Sequence, residues 1–278
     1  MINRMEISKK LIQELRSKTG SGFMDCKVAL QKSNGNINHA IDYLRTLGVC
    51  IATGKISRQT EFGRIFLYHD KNVGVLLELN SETDFVANND EFNNFGKTVV
   101  NYSGKKKIFI LNDLNNIFNS QRISLISRIR ENIIIRRIKY ITGNTIISYV
   151  HSNKIGVLVE GIVSSSSNKD NKNNINQCFK NVAMHIAASR PLFLSEIDIP
   201  KDIIEREISI QKNIANKIGK NNHVIKSIVQ GRINKFINDI TLIRQKFIMD
   251  PKIIINDYLN SNSITIRSFI RIQVGENI

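Results

Sequence analysis

Four adjacent residues carry the types that chemistry could use: Thr83, Asp84, Phe85 and Val86. They place a hydroxyl, a carboxylate and a large ring just beyond the apolar run Val73–Leu79. Polar neighbours surround them: Ser81 and Glu82 before, Asn88, Asn89 and Asp90 after. The run is β-branched and Leu-rich and ends at turn residues, which reads as a buried strand. A ring placed where a strand gives way to a helix either tucks into its own core or points outward as a wedge for a partner. These residues alone leave both open.

Other sets fall short of chemistry. Gly96-Lys97-Thr98 resembles the end of a phosphate-binding loop, but Glu91 stands where its first glycine belongs and the stretch reads as helix. The histidines (His39, His69, His151, His185 and His223) are dispersed, without HExxH or any pair at ligand spacing. No GxSxG exists for an acyl nucleophile. Cys26, Cys50 and Cys178 form no CxxC pair and are odd in number, which argues against a disulfide framework and a zinc site. They read as small buried apolar residues. The expectation is a protein with no catalytic residues, no metal and no cofactor of its own.

The elements that must position Phe85 belong to a chain of 278 residues, 41% of them hydrophobic, long enough for about two domains. No run of about 18 uncharged apolar residues exists to cross a membrane. The start, Met1 to Glu6, has no apolar signal core, so a cytoplasmic location is expected. A net charge of +16 invites a nucleic-acid partner. The chain is also full of Ile, Asn and Lys, whose codons are rich in A and T, and base composition offers a duller cause.

Residues 1–48 read as three short helices. Ser8 caps the first, whose Leu11, Ile12 and Leu15 share a face, and Gly20 ends it. The second, Phe23 to Lys32, sets Met24 and Val28 four apart, with Leu30 adding apolar surface. The third repeats Ile37, Ile41, Leu44 and Leu47 and closes at Gly48. Cys50 to Thr60 reads as a linker. Two hairpins follow, each with a shared string of apolar-Gly-Val-Leu-apolar-Glu: Val73–Glu78 after Ile65–Tyr68, and Ile155–Glu160 after Ile146–Val150. A helical stretch follows each, from about Asp90 and about Asn176, so two related α+β subdomains with antiparallel sheets are expected.

Leu111 to Tyr140 reads as helical in part and basic toward its end, and Ser164 to Asn174 as a loop. Lys201 to Leu242 reads as two antiparallel helices broken at Gly219–Asn222, an inserted helical hairpin. Ile264, Ile266, Ile270, Ile272 and Val274 then alternate as a half-buried strand completing the second sheet.

Together these stretches resemble the bacterial elongation factor Ts family, the nucleotide exchange factors of elongation factor Tu. The matching strings are Leu15-Arg16, Thr19-Gly20, Met24-Asp25-Cys26-Lys27, Thr83-Asp84-Phe85-Val86-Ala87 and Glu131-Asn132-Ile133 with Ile135-Arg136-Arg137. Further on come Ile155–Val159, Met184–Ser189, Phe247–Pro251, and Phe269–Arg271 with Val274-Gly275-Glu276. They keep the family's order over nearly the whole chain.

The resemblance implies an N-terminal ubiquitin-associated-like module with its linker (1–54), a first core subdomain (55–144) and a second (145–278). A coiled-coil hairpin at about 201–242 is inserted in the second. It also implies that Thr83, Asp84, Phe85 and Val86 press into the guanine-nucleotide domain of elongation factor Tu and dislodge its magnesium. Arg16, Met24 and Lys27 match partner-contacting positions in the module, and Ile129, Arg130, His151, Ile248 and Met249 match others in the core. Arg130 stands where the family usually has glycine, and Gln13 replaces a common lysine. The chain stops at Ile278, so a smaller interface with exchange retained is expected. The rival reading is an RNA-binding accessory protein using Arg136, Arg137, Lys139 and the basic hairpin. It lacks interleaved aromatics for base stacking.

Overall fold

The computed structural model describes residues 7–163, 172–216 and 222–276. The chain forms two compact units, each assembled from separate stretches. Met1–Tyr68, Leu77–Lys139 and Gln273–Ile278 make the first; His69–Leu76 and Tyr140–Ile272 make the second.

Three helices open the first unit: α1 (Lys9–Thr19), α2 (Phe23–Lys32) and α3 (Ile37–Thr53). The Ser8 hydroxyl accepts from Leu11 N–H to cap α1, and Gly20 ends it in the left-handed conformation at φ 67°. Ile12, Leu15, Cys26, Ala29, Leu30, Ala40 and Leu44 close a small core inside the three helices.

Three details differ from the sequence reading. The buried side of α2 is Cys26, Ala29 and Leu30, so Met24 and Val28 lie on its outer side. Gly48 does not end α3; it faces inward, where a Cβ would come within 3.3 Å of Ser127. The helix runs on past it, placing Gly48 and Ala52 one turn apart on the buried side. Cys50 falls on the opposite side and is exposed, unlike Cys26 and Cys178.

The first hairpin is β1 (Phe62–Asp70) and β2 (Val73–Ser81), in a sheet of order β1-β2-β3 with β3 (Ile133–Thr142). As the apolar run predicts, β2 is buried along its whole length. After it come the single turn α4 (Asp84–Ala87), then α5 (Asp90–Lys106) and α6 (Leu111–Ile129). Phe95 and Tyr102 of α5 meet Phe118 of α6 edge-on, with ring centroids 6.1 and 5.3 Å apart. Gly96 lets α5 settle on the sheet, since a Cβ there would lie 2.3 Å from the Phe66 ring. The glycine of the supposed phosphate loop is therefore a packing residue.

The basic stretch before Tyr140 carries no strand signal in the sequence; β3 fills it. The reason is Glu78 of β2, a fully buried carboxylate. Arg136 Nη1 donates to its Oε1 at 3.0 Å, and Arg137 Nε donates to its Oε2. Gly275 N–H donates to the same carboxylate at 2.9 Å, and the Gln273 carbonyl accepts from Arg137 Nη2 at 2.6 Å. A local pattern cannot show that the charges of one strand are matched by a partner strand.

In the second unit, β4 (Ile146–His151) and β5 (Ile155–Val163) pair antiparallel, from Ile146 opposite Glu160 to His151 opposite Ile155. The helix α7 (Lys172–Ser189) packs on both, and the Phe179 ring fills the space left by Gly161. Then come α8 (Lys201–Asn216), α9 (Asn222–Ile240), the short strands β6 (Lys246–Phe247) and β7 (Asp250–Ile254), and α10 (Ile255–Ser261). The last strand, β8 (Ile264–Gln273), joins β5 as its alternation predicts, giving the order β4-β5-β8. Val157, Phe179, Val182, Ile186, Phe247 and Ile264 belong to the core beneath.

The two long helices α8 and α9 share an apolar cluster of their own, with Ile199, Ala215, Val229, Ile233 and Ile237 at its centre. Arg232 Nη1 donates across to Gln211 Oε1 at 3.1 Å. The break expected at Gly219–Asn222 lies outside the described residues except for Asn222, which opens α9. The loop expected at Ser164–Asn174 lies outside them up to residue 171, and α7 already begins at Lys172. Among the described residues no helix is long and apolar enough to cross a membrane, and no group of three or more His, Cys, Asp and Glu is placed to hold a metal.

Candidate functional site

At the end of β2 the chain turns through Glu82 and Thr83 into α4. Thr83 is the N-cap: its Oγ1 accepts from Val86 N–H at 3.4 Å. Ala87 is buried, Val86 is half-buried, and Asp84 is exposed. Phe85 is 84% exposed. Of the two orientations the residues left open, the structure has the outward one. A phenyl ring left in water forgoes roughly 1.5–3 kcal/mol that burial would supply.

The turn beneath the ring is held from outside. Both Glu131 carboxylate oxygens accept from Thr83, Oε2 from its N–H at 3.0 Å and Oε1 from its hydroxyl at 2.7 Å. In return Glu82 Oε1 accepts from Asn132 N–H at 2.7 Å, while Arg58 Nη1 donates to its Oε2 at 3.2 Å. At the far end of α4, Arg64 donates to the side chains of Asn88 and Asn93. Burial raises the Glu82 pKa, but the Asn132 N–H and the hydrogen bond and charge of Arg58 outweigh it, leaving the group below its usual range.

The remaining residues singled out from the sequence fall into two sets. Arg16 and Met24 are exposed on α1 and α2, Met24 at 63%, and Lys27 is half-buried. Ile129, half-buried, is the last residue of α6, and Arg130 follows it. Arg130 takes the left-handed conformation that favours glycine, at φ 67°, and its guanidinium pairs with Asp25 of α2. That conformation costs a side-chain residue roughly 1–2 kcal/mol, while an exposed ion pair returns about 0–1 kcal/mol. Arg130→Gly is therefore expected to be more stable than Arg130→Ala by about 1 kcal/mol. Thermal unfolding of the pair checks this; an Ala variant as stable as the Gly one would contradict it.

In the second unit His151, Ile248 and Met249 line one groove of about 460 Å³ with Tyr149, Ile155 and Met184. Tyr149 Oη lies 3.1 Å from His151 Nδ1. Behind the groove the buried His185 sets the backbone of Ile248, whose N–H donates to its Nδ1 at 3.2 Å. Nε2–H then donates to Gln245 Oε1 at 2.9 Å. Burial pushes the imidazole pKa down, with the Gln245 bond pulling the other way.

A proton on Nδ1 would displace the Ile248 N–H. Neutral His185 therefore contributes stability that is present above the unfolded-state value of about 6.5 and is lost as pH falls toward the lowered folded value. Unfolding midpoints measured from pH 8 to 5 should fall in that window, with faster amide exchange at Ile248. An imidazole that titrates at or above its unfolded value would contradict this.

A sequence model of the family described as elongation factor TS matches residues 82–276. The chain belongs to the elongation factor Ts family. Proteins named elongation factor Ts align with it almost end to end. One from Buchnera aphidicola subsp. Cinara cedri is 58% identical over 274 residues, covering 99% of this chain and 98% of its own. One from Buchnera aphidicola subsp. Acyrthosiphon pisum (strain 5A) is 43% identical, covering 98% of each chain. One from Photorhabdus laumondii subsp. laumondii is 41% identical, covering 98% of this chain and 93% of its own. Membership of the elongation factor Ts family makes this a translation elongation factor, with the mixed helix and antiparallel-sheet fold expected from the resemblance.

Two observations bear on residues that sequence reading weighed differently. Arg136 and Arg137, which the RNA reading uses together with Lys139 and the basic hairpin, pair with Glu78. Arg58, Arg64, Glu82, Glu131 and Asn132 were not singled out as functional, yet they hold the turn that carries Phe85. The string Glu131-Asn132-Ile133 marks Glu131 and Asn132 as family-like but shows nothing of their contacts.

Proposed function

We propose that the chain binds elongation factor Tu carrying GDP and promotes exchange of GDP for GTP. Phe85 enters an apolar slot in the partner's guanine-nucleotide domain and stabilises a distorted, nucleotide-free conformation. The exposed carboxylate of Asp84 beside it helps displace the magnesium that the partner holds with its nucleotide. Arg16, Met24 and Lys27, with Ile129, Arg130, His151, Ile248 and Met249, supply the affinity that keeps the ring in place. The single observation that carries this reading is a Phe left exposed on a turn held at its start by Glu131 and at its end by Arg64.

The energetics follow from linkage. A factor that favours the empty partner weakens nucleotide by the same factor by which nucleotide weakens it. Nucleotide is held by backbone donors and a cation, so a modest shift of either loosens it. GTP then displaces the factor because it is the more abundant nucleotide.

Stopped-flow release of fluorescently labelled GDP from elongation factor Tu, with and without this protein, tests the reading. Acceleration is expected, and excess GDP should weaken the complex of the two proteins. A complex indifferent to GDP would overturn the assignment.

A further inference from the structure

We infer that Glu131 is the positioning residue that sets how Phe85 is presented; the inference rests on the exchange reading above. A four-residue helix has no stability of its own, because nucleating a turn fixes several dihedrals for very few hydrogen bonds. The Phe85 ring is exposed and has no packing to orient it. The direction of the ring is therefore decided by whatever fixes the backbone of α4.

That work falls to a capping box assembled from two distant segments. In the usual arrangement, a Ser or Thr at the N-cap accepts from the N–H three residues on, and a Glu or Gln there returns to the N-cap N–H. Here the third helical residue is Val86, which has no acceptor. The carboxylate comes instead from Glu131, 48 positions along the chain, and takes the Thr83 N–H at 3.0 Å. It also takes the Thr83 hydroxyl proton at 2.7 Å, which leaves the oxygen's lone pairs to face Val86 N–H.

Glu131 is itself anchored. Its neighbour Asn132 is buried, gives its N–H to Glu82 at 2.7 Å and its side-chain amide to the Arg58 carbonyl at 3.0 Å. The two segments thus exchange glutamates in opposite directions, and each carboxylate receives a backbone N–H from the other strand end. Charge-assisted bonds of this kind are the stronger class.

The test separates positioning from mere stability. Glu131→Ala is expected to lower the saturating rate of GDP release about tenfold. The concentration giving half that rate should change little, because other residues supply the affinity. Glu131→Gln keeps an acceptor for the Thr83 N–H and should restore most of the rate. Thr83→Val, which loses the hydroxyl bond to Glu131 but keeps the backbone one, should fall between, which keeps the inference testable if Glu131→Ala folds poorly by circular dichroism.

The deciding measurement places Glu131→Ala in a Phe85→Ala background, where it should have no further effect on the saturating rate. An equal loss in both backgrounds, or no loss in the parent background, overturns the inference. If Phe85→Ala alone releases GDP as fast as the parent protein, the Phe85 wedge on which the inference rests fails instead.

Discussion

Phe85→Ala is expected to slow the release of labelled GDP from elongation factor Tu by roughly 10- to 100-fold at saturating protein. This is the kinetic equivalent of the roughly 1.5–3 kcal/mol that burying one Phe supplies. The ring is 84% exposed in the free chain, so its apolar surface is still available to a partner. A Phe already packed in its own core would leave nothing to gain on binding. Because Glu131 holds the Thr83 N–H at the start of α4 and Arg64 the Asn88 side chain at its end, and the ring holds neither, the substitution should leave folding intact. The circular dichroism and unfolding midpoint of the variant should match the parent. Phe85→Leu, which keeps part of the apolar area, should fall between. Unchanged release by the Ala variant would remove the wedge from the mechanism.

Glu78→Ala should be the most damaging single change to stability, by about 3–5 kcal/mol. That is the usual cost of removing one partner of a buried ion pair and leaving the other charge unmatched. Here Arg136 would lose its carboxylate, the almost wholly buried Arg137 would keep only the Glu276 carboxylate, at 3.2 Å, and the Gly275 N–H would lose its acceptor. Glu78→Gln keeps an acceptor for that N–H but no charge, and should lose less. The urea midpoint of the first unit is the measurement, with amide exchange at Gly275 as a local reporter. Equal stability of the Ala variant and the parent would show that the arginines find other partners.

Much of the fold was legible in the sequence because its signals are local. Ser8 and Gly20 bound α1 through capping and left-handed geometry that single residues dictate. The hairpins are marked by polar turns between β-branched runs. The hairpin helices α8 and α9 are marked by isoleucines at helical spacing that need only each other for cover. Where reading failed, a distant neighbour decided the outcome. Gly48 read as a stop, but it is the point where α3 meets Ser127 of α6, so the helix continues. On α2 the spacing of Met24 and Val28 does not show which side is covered; Cys26, Ala29 and Leu30 take the buried side.

By itself the sequence determined the family, the hairpins and long helices in their order, and the one turn at which a Thr-Asp-Phe-Val string follows a buried strand. It could not say which way the ring of Phe85 points or what holds it there. Those were decided by contacts that close only on folding: Glu131 reaching Thr83, Glu82 reaching Asn132, and Arg130 reaching Asp25. Hydrogen bonds and ion pairs between remote segments leave no periodicity in the chain, because each depends on where two backbones meet rather than on the residues beside it.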